Sequence, residues 1–162
     1  MATITLITGA NKDIGFETAR LLISAGHTIR RLYETNVVGL VRTTRAFLPL
    51  LTKSANPVVV NVSSSLGSLE RVTTAGLPES QIPAMAYGSS KAALNMITVH
   101  YAKAFPNMRI NAVDPGYTAT DINGNSGFQT AAAAAAIIAQ MACLEPDGPT
   151  GTYRDAHGPL PW

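Results

Sequence analysis

Two continuous apolar runs, each ended by a sharp polar turn, constrain the fold of this chain most. Residues 57–62 read Pro-Val-Val-Val-Asn-Val and break into Ser-Ser-Ser-Leu-Gly, and residues 108–113 read Met-Arg-Ile-Asn-Ala-Val and end at Asp-Pro-Gly. Short runs of this kind, rich in β-branched residues, are typical of strands buried on both faces of a parallel sheet. Because residues 86–104 between them have a helical pattern, the sequence predicts a β-α-β unit.

Strands and helices alternate along the remaining chain. We predict strands at residues 3–8, 27–30 and 150–154 and helices at residues 16–25, 32–49 and 129–142. Residues 68–83 contain Gly76, Pro78 and Pro83 and are predicted to form a long loop. We therefore expect one α/β domain over residues 1–162, with a mainly parallel, Rossmann-like doubly wound sheet.

Composition and charge exclude several classes of function. The 12 basic and 10 acidic residues give a net charge of +2 and are scattered, so we expect no nucleic-acid partner. The three histidines have no ligand spacing and Cys143 is the single cysteine, so we expect no metal site. Cys143 follows Met141 and Ala142 and is predicted to be a packed, inert thiol in a reducing cytoplasm. The longest apolar stretch, residues 131–139, is too short to span a bilayer, and no signal peptide is evident, so we expect no membrane partner.

Tyr87 and Lys91 are four residues apart in the predicted helix and would lie on one face of it. Free tyrosine has a pKa near ~10, and a neighbouring ammonium group favours the phenolate. The pair is therefore a candidate acid-base centre, and the alternative is a surface pair on an amphipathic helix. A second candidate site is the glycine turn between Gly9 and Gly15, because a strand, a glycine turn and a helix present N–H groups to a phosphate.

Five motifs in one order make the chain resemble the short-chain dehydrogenase/reductase family, particularly its carbonyl-reductase-like members. The motifs are the cofactor loop at residues 8–15, an asparagine helix at 35–39, a serine motif at 61–67, the Tyr-x-x-x-Lys pair at 87–91 and a Pro-Gly motif at 114–120. The resemblance implies hydride transfer between a nicotinamide cofactor and a carbonyl or alcohol. The cofactor supplies the hydride, and the protein supplies position and charge.

The resemblance also implies a role for each catalytic residue. Ser64, not its neighbours Ser63 and Ser65, would hydrogen-bond the substrate carbonyl oxygen, and Tyr87 would exchange a proton with that oxygen. Lys91 would lower the pKa of Tyr87 and hold the nicotinamide ribose. Asn36 would fix a water that passes protons to Lys91.

A further set of residues is implied to bind the cofactor, with NADP(H) favoured over NAD(H) because Lys12 could pair with a 2′-phosphate. The set is Gly9, Asn11, Lys12, Ile14, Gly15, Tyr87, Lys91, Pro115, Gly116, Thr118 and Thr120. The substrate is expected to be a small carbonyl compound or alcohol, in a pocket shaped by residues 68–83 and 121–130. The helices that carry Asn36 and Tyr87 would permit a homo-oligomer.

The chain departs from the family at two places. Asp13 occupies the position of a glycine in the cofactor loop, which would weaken binding of a pyrophosphate. Between residues 29 and 32 about two strand-helix units are absent, or roughly 60–80 residues at ~30 or more per unit, and with them the family's Asn-Asn-Ala-Gly motif. Two hypotheses follow: a shortened, working NADP(H)-dependent reductase, or an impaired relative that acts only as a nucleotide-binding or subunit-interacting module.

Overall fold

A short parallel sheet organises the protein. The computed structural model describes residues 29–119 and 124–162. In this part of the chain, strands β1 (Val58–Val62), β2 (Arg109–Val113) and β3 (Tyr153–Arg154) form a parallel sheet in the order β1-β2-β3. Val58 lies opposite Arg109 and Ala112 lies opposite Tyr153. The predicted parallel α/β architecture is therefore confirmed, with β3 shorter than the predicted strand.

Residues 29–33 are α-helical, and four further α-helices accompany the described strands. They are α1 (Gly39–Leu51), α2 (Leu69–Thr73), α3 (Met85–Ala104) and α4 (Ala131–Ala142). A π-helical turn, Glu34–Val38, leads into α1, and 3-10 turns occur at Ser65–Gly67 and Pro78–Gln81. Helices and strands therefore alternate along the chain, as the sequence pattern predicts.

Two predictions of local structure are wrong. Residues 29 and 30, assigned to a second strand, are helical and continue into the π-helical turn. The predicted loop at residues 68–83 contains α2, which begins where the Ser68 hydroxyl accepts the Arg71 N–H at 3.2 Å. This N-cap makes a helix of a segment too short and too polar to show helical periodicity. The predicted strand 3–8 and helix 16–25 lie outside the described residues.

The sheet is covered on both faces. On one face, Met108, Ile110 and Ala102 pack with the half-buried Val59 and Leu51, which brings in α1 and α3. On the other face, Val113, Ile137 and Met141 pack with the half-buried Val60, which brings in α4. Neighbouring residues of β1 thus face opposite layers, as the pleat of a strand requires. This is the three-layer arrangement of a doubly wound sheet.

Helix α4 shows why the alanine-rich stretch is helical. The Thr130 hydroxyl accepts the Ala133 N–H at 3.2 Å and caps the first turn. Ala134, Ile137 and Met141 are buried at helical spacing, so one apolar stripe packs against the sheet. Cys143, just beyond this helix, is exposed, and its prediction as a packed thiol is wrong because the helix turns that residue toward solvent.

Strand β1 is paired by described residues along one edge only. The Arg109 N–H donates to the Pro57 carbonyl at 3.0 Å, and the Ser63 N–H donates to the Val113 carbonyl at 2.7 Å. Because successive residues of a strand direct their backbone N–H and C=O groups to opposite edges, the odd-numbered residues of β1 face β2. Val58, Val60 and Val62 direct theirs to the other side, which we call the outer edge.

Candidate active site

The serine motif follows β1 as a tight turn that packs directly on helix α3. A Cβ atom on Gly67 would lie 2.8 Å from the backbone carbon of Lys91, and one on Gly88 would lie 2.7 Å from the Leu66 carbonyl oxygen. Only glycine permits an approach this close without a shift of backbone. The two glycines therefore allow the turn that carries Ser64 to reach the first turns of the helix that carries Tyr87 and Lys91.

Polar side chains align α3 with β1. The Asn61 amide donates to Thr98 Oγ1 at 2.8 Å, and the Ser63 hydroxyl donates to Asn95 Oδ1 at 2.6 Å. All four residues are buried, so these bonds satisfy polar groups that would otherwise be costly inside the protein. The Ser63 hydroxyl is thus bonded to α3 and also bonds the Tyr153 side chain of β3.

Tyr87 lies between Ser64 and Lys91. Burial raises the pKa of the Tyr87 phenol above its ordinary 10.0, a hydrogen bond with the Ser64 side chain lowers it, and the charge of Asp114 raises it again, so the net direction is upward. The expected lowering of this pKa by Lys91 is therefore wrong as a net effect, because desolvation of the phenolate dominates. At neutral pH Tyr87 holds its proton.

Lys91 reaches past the tyrosine to the outer edge of β1. Its Nζ atom lies 5.6 Å from the centroid of the Tyr87 ring and donates to the Val62 carbonyl oxygen at 2.8 Å. Burial lowers the pKa of the Lys91 ammonium, and Asp114 opposes that shift. One end of the outer edge is thus occupied by the predicted catalytic lysine.

Asn36 joins the site through one intermediate side chain. Its amide donates to Ser90 Oγ at 3.0 Å, and the Ser90 hydroxyl donates to the Tyr87 carbonyl at 2.7 Å. The π-helical turn Glu34–Val38 places Asn36 toward α3. A widened helical turn of this kind often occurs at a functional site.

The Pro-Gly motif follows β2 and completes the carboxyl edge of the sheet. Gly116 has φ of +84°, which glycine adopts without strain. The Gln129 amide donates to the Pro115 carbonyl at 2.5 Å, and the Thr118 hydroxyl donates to the Gly116 carbonyl at 3.0 Å. Ligands of open α/β sheets bind beyond the carboxyl ends of the strands, where this turn meets the serine turn.

A known family combines these motifs at this edge of such a sheet. The sequence profile of the short chain dehydrogenases matches residues 27–130, which is more than half of the chain. The chain belongs to the short chain dehydrogenase family. A (+)-neomenthol dehydrogenase from Capsicum annuum is 35% identical over 153 residues, covering 74% of this chain and 49% of the relative.

Solved structures agree with this assignment. The salutaridine reductase of Papaver somniferum is 30% identical with a TM-score of 0.64, covering 75% of this chain and 52% of that protein. A short chain dehydrogenase from Shigella flexneri complexed with NADP is 28% identical with a TM-score of 0.58, covering 75% and 50%. This short chain dehydrogenase thus spans about half the length of the curated relatives it matches. Its Rossmann-like sheet is confirmed as a shortened one.

The structure brings together part of the predicted cofactor site. Tyr87, Lys91, Pro115, Gly116 and Thr118 lie at the carboxyl edge of the sheet. The Lys91 ammonium offers three donors, which suits ribose hydroxyls, so these residues fit the nicotinamide half of a dinucleotide. The other predicted residues, Gly9, Asn11, Lys12, Ile14, Gly15 and Thr120, lie outside the described part of the chain.

A groove of about 600 Å³ runs between α1 and the outer edge of β1. Asn36 and Lys91 lie in its wall, together with the apolar side chains of Leu40, Phe47 and Val60. The groove therefore extends from Lys91 along the outer edge of β1. In the family, the strand-helix units that this chain lacks are expected on that side of the sheet.

Two kinds of feature are absent from the described part of the short chain dehydrogenase. Across residues 29–119 and 124–162, no three side chains of the metal-binding types come together as a cluster. In the same ranges, no helix has the length and apolar character needed to cross a membrane.

Sequence reasoning missed two residues that hold this site together. Ser90 links Asn36 to the backbone of Tyr87, and Asp114 contacts both the serine turn and the Pro-Gly turn. Ser90 carried no sequence signal beyond its place in the Tyr-Gly-Ser-Ser-Lys run. An acidic residue directly before Pro-Gly at the end of a buried strand was a usable signal for Asp114, since a buried carboxylate requires partners.

Proposed function

We propose that this protein is an NADP(H)-dependent oxidoreductase that transfers hydride between the cofactor and a small carbonyl compound or alcohol. The observation that carries the proposal is the position of Tyr87, whose phenol bonds Ser64 and whose ring centroid lies 5.6 Å from Lys91 Nζ. A nucleotide with a nicotinamide ring supplies the hydride when it is bound. The chain itself has to bind the substrate oxygen, orient it and move one proton.

Tyr87 is the proton donor in the direction of reduction. Its raised pKa keeps the phenol protonated at neutral pH, so it has a proton to give to the oxygen as negative charge develops there. Ser64 bonds the phenol and is placed to donate to the same substrate oxygen. In oxidation Tyr87 would have to be in its phenolate form to accept the alcohol proton, while Ser64 keeps its bond to the same oxygen.

Lys91 and Asn36 support this transfer. The Lys91 ammonium lies near the Tyr87 ring and stabilises the phenolate that remains after proton donation. Asn36 and Ser90 form a polar chain to the backbone of Tyr87, and this chain borders the groove where a water could link Asn36 to Lys91. The preference for NADP(H) is supported by Lys12 and by the relative that is complexed with NADP.

An NADPH fluorescence titration of the full chain, repeated with NADH, tests cofactor binding. Loss of NADPH absorbance in the presence of each of a panel of small carbonyl compounds tests turnover. We expect saturable binding that prefers NADPH, and turnover that Tyr87→Phe abolishes. Tyr101→Phe is the matched control, since Tyr101 lies in the same helix and stacks on Phe105 at 6.2 Å between ring centroids. Binding of neither nucleotide would contradict the proposal.

The second candidate function is a nucleotide-binding or subunit-interacting module without turnover. The exposed apolar side chains of α1 favour it, because Phe47 is 55% and Leu50 is 63% exposed. NADPH binding with no reduction of any carbonyl, together with a dimer by size-exclusion chromatography, would support the module. A turning-over monomer would reject it.

A further inference from the structure

Asp114 connects the two turns of the site with one side chain. Its Oδ2 atom accepts the Ser65 N–H at 3.0 Å, and its Oδ1 atom accepts the Gly116 N–H at 2.9 Å. Asp114 is only 8% exposed and lies at the end of β2. Each carboxylate oxygen therefore holds a different turn, and removing the carboxylate leaves both backbone amides without their acceptor.

The charge of Asp114 also reaches the two titrating groups of α3. It raises the pKa of Tyr87 and raises the pKa of Lys91, so it favours the protonated form of both. The titratable groups that its charge affects are Tyr87 and Lys91 on α3 and Tyr153 on β3. The pKa of Tyr153 is also lowered by Arg71 and raised by Asp155. Asp114 is thus the fixed negative charge that the Tyr87–Lys91 pair shares.

We propose that Asp114 is a positioning residue of the active site: its carboxylate joins the serine turn to the Pro-Gly turn and supplies the negative charge that faces Tyr87 and Lys91. Its effect on turnover rests on the proposed function, whereas its effects on the turns and on Tyr87 do not. The charge of Asp114 adds to burial, which is the larger cause of the raised Tyr87 pKa, and both favour the protonated phenol.

The Asp114→Asn variant tests this assignment without reference to activity. An asparagine can still accept one N–H, but its amide nitrogen cannot accept the other. We expect faster hydrogen exchange at Ser65 or Gly116, and a Tyr87 titration that moves to lower pH. The first is measured on backbone amides by NMR, and the second on tyrosine labelled with ¹³C at Cζ, with the resonance assigned by Tyr87→Phe.

Asp155→Asn is the matched control. The Asp155 carboxylate likewise accepts two backbone N–H groups, from His157 at 2.7 Å and Gly158 at 3.0 Å, but both donors belong to its own turn beyond β3. This variant is expected to leave the Tyr87 titration and the Ser65 and Gly116 amides unchanged. If it moves them as much as Asp114→Asn does, the assignment is overturned.

A measurement on the unmodified chain covers the case in which Asp114→Asn does not fold. The backbone amides of Ser65 and Gly116 are both expected to exchange slowly with solvent hydrogen, since each donates to one oxygen of the same buried carboxylate. Rapid exchange at either amide would overturn the assignment.

Turnover separates this inference from the proposed function. In a working reductase, Asp114→Asn is expected to lower kcat/KM on the order of 10²-fold, since small displacements of a reacting group have effects of that size. If the unmodified chain shows no turnover, the proposed function fails, while the amide and tyrosine measurements still decide whether Asp114 positions the site.

Discussion

The two edges of strand β1 differ in their hydrogen bonding, although neighbouring residues of the same short strand contribute to them in turn. The edge that faces β2 is paired along its length, and the turn that leaves it is held by Asn95, Asp114 and the two glycines of the helix contact. Among the described residues, the outer edge is bonded by the Lys91 ammonium, which donates to the Val62 carbonyl. The difference teaches that the serine turn is held from the paired side, whereas the Lys91 ammonium is held at the outer side.

The largest effect expected on the paired side comes from Ser64. Ser64→Ala is expected to lower kcat about 10²–10³-fold, because it removes a donor to the substrate oxygen. It is also expected to raise the pKa of Tyr87 further, since the Ser64 hydrogen bond lowers that pKa. Carbonyl reduction and the ¹³C titration of Tyr87 measure the two effects.

Ser63→Ala is the neighbouring control. It removes the hydroxyl that donates to Asn95 and is expected to lower the free energy of unfolding by about 1–2 kcal/mol while turnover is retained. If Ser63→Ala abolishes turnover and Ser64→Ala does not, the assignment of the two serines is reversed.

Proline substitutions compare the two edges directly. Val59→Pro removes a backbone donor that faces β2, whereas Val60→Pro removes one on the outer edge. We expect Val59→Pro to lower the free energy of unfolding by about 2–3 kcal/mol more than Val60→Pro, because it leaves a buried carbonyl of β2 unpaired. Denaturant unfolding measures both, and the two valines are matched because each is half-buried against one face of the sheet.

Equal destabilisation by the two prolines would break the comparison. It would mean that the outer edge of β1 is paired as firmly as the inner one in the whole protein, by a segment or a second copy beyond the contacts described above. Hydrogen exchange at the amides of Val58 and Val60, against Val59 and Asn61 as internal controls, would locate that pairing.

A smaller effect is expected where the serine turn meets α3. Gly88→Ala places a methyl group 2.7 Å from the Leu66 carbonyl oxygen and is expected to lower the free energy of unfolding by about 1–3 kcal/mol. Ser89→Ala, at the next position and exposed, is expected to change it by less than ~0.5 kcal/mol. Thermal unfolding compares them, and equal stability of the two variants would contradict the close approach.

The smallest effect concerns the acid stability of the segment that flanks the serine turn. Burial opposes ionisation of Glu79, but bonds from its own backbone, from Ser65 and from Arg71 outweigh burial and hold the Glu79 pKa below 4.5. A group whose pKa is lower in the folded state adds stability above its unfolded pKa and loses that stability as the pH falls through the folded value. The free energy of unfolding of Glu79→Gln is therefore expected to fall less below pH 4.5 than that of the unmodified chain.

Glu70→Gln is the control for that measurement, since Glu70 lies exposed in α2 next to Arg71. The Arg71 Nη2 atom is 2.9 Å from Glu79 Oε1. Unfolding curves at several pH values compare the two variants. The same acid dependence in Glu79→Gln as in the unmodified chain would show that the buried ion pair adds no pH-dependent stability.

The sequence by itself determined the elements with strong local patterns. The valine run of β1, the strand that ends at Asp-Pro-Gly and the long helix of Tyr87 were predictable because apolar periodicity and turn residues act over a few positions. Local patterns predicted the wrong structure at residues 29–30, which are helical. They also missed α2, whose first turn depends on the Ser68 cap. The pair proposed for proton transfer was also predictable from the sequence, because Tyr87 and Lys91 share one helical face.

Only the tertiary structure decided how those residues act. The net pKa of Tyr87 depends on burial, which no local spacing encodes, and the partners of Lys91 and Asn36 come from segments 29 and 54 residues away. The role of Asp114 likewise required two strands to end side by side, since its two acceptor atoms serve residues on different turns. Desolvation and long-range hydrogen bonds are properties of the packed chain, and they set the chemistry that the sequence alone could only suggest.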